Sequence, residues 1–268
     1  MWFALWVACD GMPDETSLID GVQVVTVLLD PPEVAPGAAA DATLLVARPA
    51  GDAADVLLWS CTNLGDGCLE AALPPGQWLE AWSTAGTHTR SFAAPEALAA
   101  VVTDTVALPV SLWALACDPG VCDVVDDARA AIDAGAVPAS LAKDLADPFG
   151  LLGALPIEAV SLARRSLSVS ANPTPNENPV IDLAPPEADY AVVARGAEVS
   201  LTWTVTDETD VVADALTTAG AMSNATWDDH EVTVTWFAPD APGEATLYLV
   251  LEDGSGGAAL WTASARVE

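Results

Sequence analysis

The chain has 268 residues, enough for two ordinary domains, with 8 basic against 39 acidic residues and a net charge of −31. A field of that sign repels nucleic acid and bare anionic membrane surfaces, so phosphate-backbone binding is excluded as a function. Ten tryptophans against two tyrosines and four phenylalanines point to strands and sandwich cores, and the acidity reads as a solvated, salt-tolerant surface.

Residues 1–9, MWFALWVAC, form an apolar run that is too short to span a bilayer. They read as the tail of a secretory signal, with an ordinary buried strand as the alternative. The polar residues 10–20 follow as a tether. A first domain is expected over 21–169. GVQVVTVLLD is rich in β-branched residues and stops at Asp30-Pro31-Pro32. VAPG then makes a turn, and DATLLVAR and DVLLWSC make further strands. GQWLEAW places Trp78, Glu80 and Trp82 on one strand face and Leu79 and Ala81 on the other. THTRSF and the long apolar stretch TVALPVSLWALAC follow, with Pro109 suggesting an edge position or a bulge.

Residues 123–148 change period. Val124, Ala128, Ala131 and Ile132 share a helical face, and Gly135 is the stop signal. Leu141 and Leu145 mark a second short helix that Pro148 ends. This is a helical insertion packed on the first domain, since about 25 residues could hardly stabilise a subdomain alone. Ile157–Val169 returns to a strand. Ser170–Val180 then holds three prolines and three asparagines. It reads as a semi-rigid extended linker over 170–178, because proline fixes φ and offers no amide hydrogen.

The second domain is expected over 179–268. In EVSLTWTVT, Val199, Leu201, Trp203 and Val205 alternate with Ser200, Thr202, Thr204 and Thr206, the pattern of a half-buried strand. EVTVTWF, EATLYLVLED and AALWTASARV complete a set of strands about ten residues apart with Gly/Pro turns, which reads as a sandwich. An internal echo links the two halves: Val34-Ala35-Pro36-Gly37 precedes DATLLVA, and Val193-Ala194-Arg195-Gly196 precedes EVSLTWTV.

The five cysteines fall as one plus two pairs. Cys61 and Cys68 enclose TNLGDG, and Cys117 and Cys122 enclose DPGV. Four cysteines allow three connectivities, and the short separations favour Cys61–Cys68 and Cys117–Cys122 in an oxidising compartment. Cys9 is left over, which asks for a separate explanation. Trp78 and Trp82, two apart on one face, are candidates for stacking on a sugar, set against packing in the core. Asp207, Glu208 and Asp210 at a strand end and Asp253 in a glycine turn could supply oxygen ligands to calcium, set against plain solvated turns. No other cofactor is expected. The sequence contains no G-x-S-x-G elbow, H-E-x-x-H pair, P-loop or dinucleotide fingerprint, so the reading is non-catalytic, with an unrecognised acidic hydrolase site as the remote alternative.

Two resemblances extend this reading. Trp236–Gly257, WFAPDAPGEATLYLVLEDGSGG, resembles the closing strands of bacterial surface immunoglobulin-like domains of the polycystic-kidney-disease and cadherin-like kind. It implies a mainly β chain of two immunoglobulin-like sandwiches, the first carrying the helical insertion. Trp6-Val7-Ala8-Cys9 resembles a bacterial lipoprotein signal, in which the cysteine is acylated and becomes the new N-terminus. Together they imply an envelope lipoprotein attached to a membrane through lipid on Cys9, at the outer membrane or cell surface. Its role would be structural or adhesive, with an envelope protein or a glycan as partner.

Overall fold

The computed structural model describes residues 13–14, 17–49, 51–62, 78–206 and 211–268. They form two compact units. One is Asp20–Asn178 with the short segment Asp253–Ala258. The other is Pro179–Glu252 with Ala259–Glu268 and the described residues up to Ile19. Strand β1 (Pro13–Asp14) belongs to the second unit.

The first unit contains β2 (Gln23–Asp30), β3 (Glu33–Val34), β4 (Ala39–Ala47), β5 (Ala53–Thr62), β6 (Leu79–Thr84), β7 (Gly86–Ala93), β8 (Leu108–Cys117) and β9 (Val160–Val169). One sheet has the order β2-β4-β7, the other β3-β9-β8-β5-β6. Lettered in chain order, these are A-B-E against A′-G-F-C-C′, the strand order of an immunoglobulin sandwich. Pro31 and Pro32 sit where the chain leaves the first sheet for the second, at a place where no ladder amide is needed. Between the sheets lies a core that includes Val27, Leu29, Leu44, Val56, Leu58, Leu112 and Leu167.

The five-stranded sheet is buried on both faces over its apolar part. Its outer face is roofed by α1 (Asp123–Ala134), α2 (Ala139–Ala146) and α3 (Pro148–Gly153), inserted between β8 and β9. Leu57, Trp59, Trp113 and Leu115 from the sheet meet Val125, Ala128, Leu141 and Leu145 from the roof in a second core. Gly135 closes α1 in the left-handed conformation, φ 64°. Pro148 does not end the helical stretch as expected. It sits in the first turn of α3, where a missing amide costs nothing, and Asp147 Oδ1 accepts from Gly150 N at 3.0 Å. The insertion therefore runs on to Gly153. Pro109 also departs from expectation: β8 is an interior strand. The proline lies at its start, opposite Ser168 and one residue before Val110, which pairs with Thr62 of β5.

The roof is fastened to the sheet by covalent and polar ties. Cys117 at the end of β8 is disulfide-bonded to Cys122, the residue that caps α1. Closing so short a loop contributes about 2 kcal/mol. Arg129 on α1 donates to Asp55 Oδ1 at 2.8 Å, to Asp126 Oδ1 at 2.6 Å and to the Trp82 carbonyl at 2.6 Å. Burial of the guanidinium opposes its charge, but the hydrogen bonds and charges of Asp55 and Asp126 outweigh it and raise the Arg129 pKa above its ordinary value. The second oxygen of Asp55 accepts from Gly120 N at 2.7 Å.

The second unit contains β10 (Val180–Leu183), α4 (Glu187–Tyr190), β11 (Val192–Val193), β12 (Glu198–Thr206), β13 (Val211–Thr217), β14 (Ala221–Ser223), β15 (Thr226–Asp228), β16 (Glu231–Phe237) and, but for the end residues Asp253 and Ala258, β17 (Gly243–Asp253) and β18 (Ala258–Val267). Its sheets run β1-β14-β16-β12-β10, with β15 also on β16, and β11-β18-β17-β13. Setting β1 and β15 aside, this is the A-B-E-D against A′-G-F-C order of the same sandwich. Trp203 and Trp236 are fully buried between the sheets, and Trp261 meets Trp203 edge-on at 5.0 Å.

The internal echo has a structural basis. Val34 ends β3, which pairs in parallel with the end of β9, and Val193 ends β11, which pairs in parallel with the end of β18. Each is followed by a turn closed by a left-handed glycine, Gly37 at φ 78° and Gly196 at φ 65°. In both turns the glycine amide bonds the carbonyl of a residue just after the E strand, Ala94 or Pro239.

Two connecting segments differ from expectation. Residues 13–14 and 17–19 are not a free tether. β1 pairs with β14, Ser17 Oγ accepts from Met222 N at 2.8 Å, and Ile19 is buried. The backbone amides and carbonyls of a sheet edge accept a strand whatever its side chains. Residues 170–178 belong to the first unit and are bound to it. Buried Glu33 accepts from Ser170 Oγ and from Asn176 N (2.6 Å), and Asn178 Nδ2 donates to the Leu29 carbonyl at 2.8 Å. Among the described residues no helix is long and apolar enough to cross a membrane.

Candidate functional site

The outer face of the five-stranded sheet changes chemistry rung by rung. Residues paired across β5, β8 and β9 give Leu57–Leu115–Leu162, then Trp59–Trp113–Arg164, then Cys61–Ser111–Ser166, and beyond them Pro109 opposite Ser168. The helical roof covers the apolar rungs, because only those offer surface whose burial stabilises the fold. Past Arg164 the β8–β9 half of the face is polar. It forms a cleft of about 400 Å³ lined by Pro109, Arg164, Ser166, Ser168 and the turn Gly254–Gly256.

Arg164 is exposed and held at the border between the two zones. Its Nε and Nη2 donate to Ser111 Oγ at 3.0 and 2.8 Å, and its guanidinium lies 5.5 Å from the centroid of the Trp113 ring. Trp113 stacks on Trp59 at 6.4 Å and receives Phe149 edge-on at 5.4 Å. Phe149, on α3, is 70% exposed. An arginine and an aromatic ring thus flank one buried indole, a pairing enriched where proteins bind partners.

The turn that walls the cleft is built by Asp253. Its Oδ1 accepts from Ser255 N at 2.7 Å and Gly257 N at 2.8 Å, and its Oδ2 from Asn176 Nδ2 at 3.2 Å. The Arg165 side chain donates to the Gly257 carbonyl at 2.6 Å. Both carboxylate oxygens of the residue considered for calcium are therefore engaged in shaping the turn. Its companions Asp207, Glu208 and Asp210 lie outside the described residues. Among the described residues no three His, Cys, Asp or Glu side chains are grouped to hold a metal ion.

Trp78 and Trp82 are half-buried and pack against the inter-sheet core. Trp78 tilts on Phe92 at 6.0 Å, and Trp82 stacks on His88 at 4.4 Å. Leu79 and Ala81, on the opposite face of β6, join the core beneath the helices. Cys61 is buried and disulfide-bonded; Cys68 and Cys9 lie outside the described residues. The cleft residues Arg164, Ser166 and Ser168, and Ser111 that anchors Arg164, were not singled out from sequence. A usable signal was present in LARRSLSV, where Arg164, Ser166 and Ser168 follow Leu162 on the outer side of the last strand, so that this side turns polar while Leu167 and Val169 keep the end of the inner side apolar.

No protein-family profile matches the chain, and no curated protein matches it in sequence. Among solved structures it is similar to the fibronectin(III)-like modules of CbhA from Clostridium thermocellum, at 12% identity and TM-score 0.29, over 90% of this chain and 93% of that one. It is also similar to the titin domains Z1Z2 in a complex with telethonin, at 11% identity and TM-score 0.25, over 93% and 94%. A third likeness is to invasin, a bacterial integrin-binding protein, at 13% identity and TM-score 0.26, over 90% of this chain and 38% of that one. The assignment of both units as immunoglobulin-like sandwiches rests on their own strand order.

Proposed function

We propose that the protein is a non-catalytic lipoprotein of the bacterial cell envelope. Lipid on Cys9 would hold it at the outer membrane or cell surface, and its two immunoglobulin-like units would serve a structural or adhesive role. The observation that carries the non-catalytic reading is the use of the buried carboxylates. Glu33 fastens the segment 170–178, Asp55 fastens α1 and the loop at Gly120, and Asp253 forms a turn. Each is fully engaged in holding the scaffold, whereas a general acid or base needs a carboxyl within reach of a substrate proton. Rigid sandwiches that present a fixed surface suit partner binding. With a lipid rather than a spanning helix, such units can be displayed in solvent, where the charge of −31 favours solubility and repels nonspecific anionic contacts. The test is binding of the soluble chain to immobilised envelope fractions, separated into protein and glycan. Saturable binding to one fraction is expected; absence of binding to both, or turnover of an envelope component, would overturn the reading.

A further inference from the structure

We propose that the open half of the outer sheet face around Arg164 binds a glycan bearing isolated uronic-acid residues, the uronate carboxylate seated on the Arg164 guanidinium. The proposal rests on the partner-binding reading above and names the partner.

Arg164 differs from the other well-placed arginines. Arg48, Arg90, Arg129 and Arg266 each lie within ion-pair distance of a carboxylate, at 2.9, 3.5, 2.8 and 3.2 Å respectively. Arg164 is oriented by a hydroxyl and a ring, and no carboxylate of the described residues lies within that distance of it. In a chain with 39 acids and 8 bases, its charge is fixed in position and left for an external anion. Ser111, which anchors it, is fully buried, so the guanidinium is pre-oriented and loses little freedom on binding. The acidic group that lines the cleft, Asp253, is engaged by backbone amides and by Asn176.

The remaining lining suits a sugar. Ser166 and Ser168 line the cleft with hydroxyls, Pro109 adds a small apolar surface, and the volume of about 400 Å³ falls among small-ligand sites. Phe149 is not part of the cleft wall; exposed and braced edge-on against Trp113, the indole that also carries Arg164, it offers a ring for the apolar face of a sugar unit that reaches past the guanidinium. A peptide fits less well. At Ser168–Val169, β9 is already flanked by β3 and β8, so it offers no free edge for strand addition, and the serines make no apolar socket for a side chain. A densely charged polyanion would be repelled by the field of the whole protein, whereas one carboxylate among neutral sugars pays little of that repulsion.

The experiment is calorimetric titration of the full chain with three probes: an oligosaccharide containing a single glucuronate, its neutral glucose counterpart, and a peptide ending in a C-terminal phenylalanine carboxylate. The glucuronate probe should bind, and the neutral counterpart should bind at least about tenfold more weakly, the loss of one charge-assisted contact. Arg164→Gln, which retains an amide donor for Ser111, and Phe149→Ala, at an exposed position, should each weaken glucuronate binding by about tenfold or more, with unchanged thermal unfolding. Equal affinity for the neutral probe, or full affinity in Arg164→Gln, would overturn the proposal. Binding of the peptide alone would overturn the sugar assignment and leave the partner-binding reading standing. Binding of none of the probes would overturn the proposal too, and the envelope-fraction test would still decide the broader reading.

Discussion

Trp59 offers the sharpest test of how the first sandwich carries its helical roof. It is 2% exposed, stacks on Trp113, and donates from Nε1 to the Leu145 carbonyl at 3.1 Å. Leu145 lies in the last turn of α2, where carbonyls have no partner within the helix. A tryptophan of the sheet therefore caps a helix of the insertion. Trp59→Phe keeps a ring in the core but removes the donor, leaving a buried carbonyl unsatisfied at a cost of about 1–3 kcal/mol. Trp59→Ala also leaves a cavity and should cost about 3–5 kcal/mol. Urea unfolding followed by far-ultraviolet circular dichroism would give the shift in midpoint at constant slope. Hydrogen exchange would locate the change, with loss of protection expected over 139–146 and none in β12 or β16 of the second unit. A Trp59→Phe variant within about 0.5 kcal/mol of the parent, a change typical of surface substitutions, with unaltered exchange in α2, would refute the reasoning.

Two further outcomes are expected. Glu33→Ala removes the acceptor for Ser170 Oγ and Asn176 N; limited proteolysis should then cut within 170–178, where the parent resists, with a stability loss of about 2–3 kcal/mol in the first unit. Burial raises the pKa of both tyrosines above the ordinary 10.0, and the Glu187 charge adds to the effect at Tyr190. Their folded-state pKa exceeds the unfolded one, so the stability linked to them is complete below pH 10 and is lost as pH rises through the folded values. Phenolate absorbance should accordingly appear at higher pH in the native protein than in urea, and coincident titrations would contradict this.

What could be read from the sequence depended on how many faces of an element are buried. EVSLTWTVT alternates because β12 packs on one side and meets solvent on the other, so Leu201, Trp203 and Val205 were legible as core. In β5 and β8 the roof buries the second face as well, and VLLWSC and SLWALAC become continuous apolar runs that reveal burial but not what covers it. For β6 the two faces were separable, but with both packed, the pattern could not say which looked toward the partner sheet. The cleft was harder to read. Ser111 and Ser166 are brought side by side only by the β8–β9 register, and no local pattern encodes a pairing 55 residues apart. The pairing of β1 with β14 rests on backbone groups, which leave no trace in side-chain pattern.

The proposed envelope location stands or falls on whether Cys9 carries lipid. Mass spectrometry of the N-terminal peptide from protein isolated out of native membranes addresses it directly. The account predicts a chain beginning at Cys9 with a diacylglyceryl thioether, partitioning into detergent, and a Cys9→Ala variant that is soluble or retained as precursor. An unmodified Cys9, or an intact Met1 ahead of it, would contradict the anchored reading.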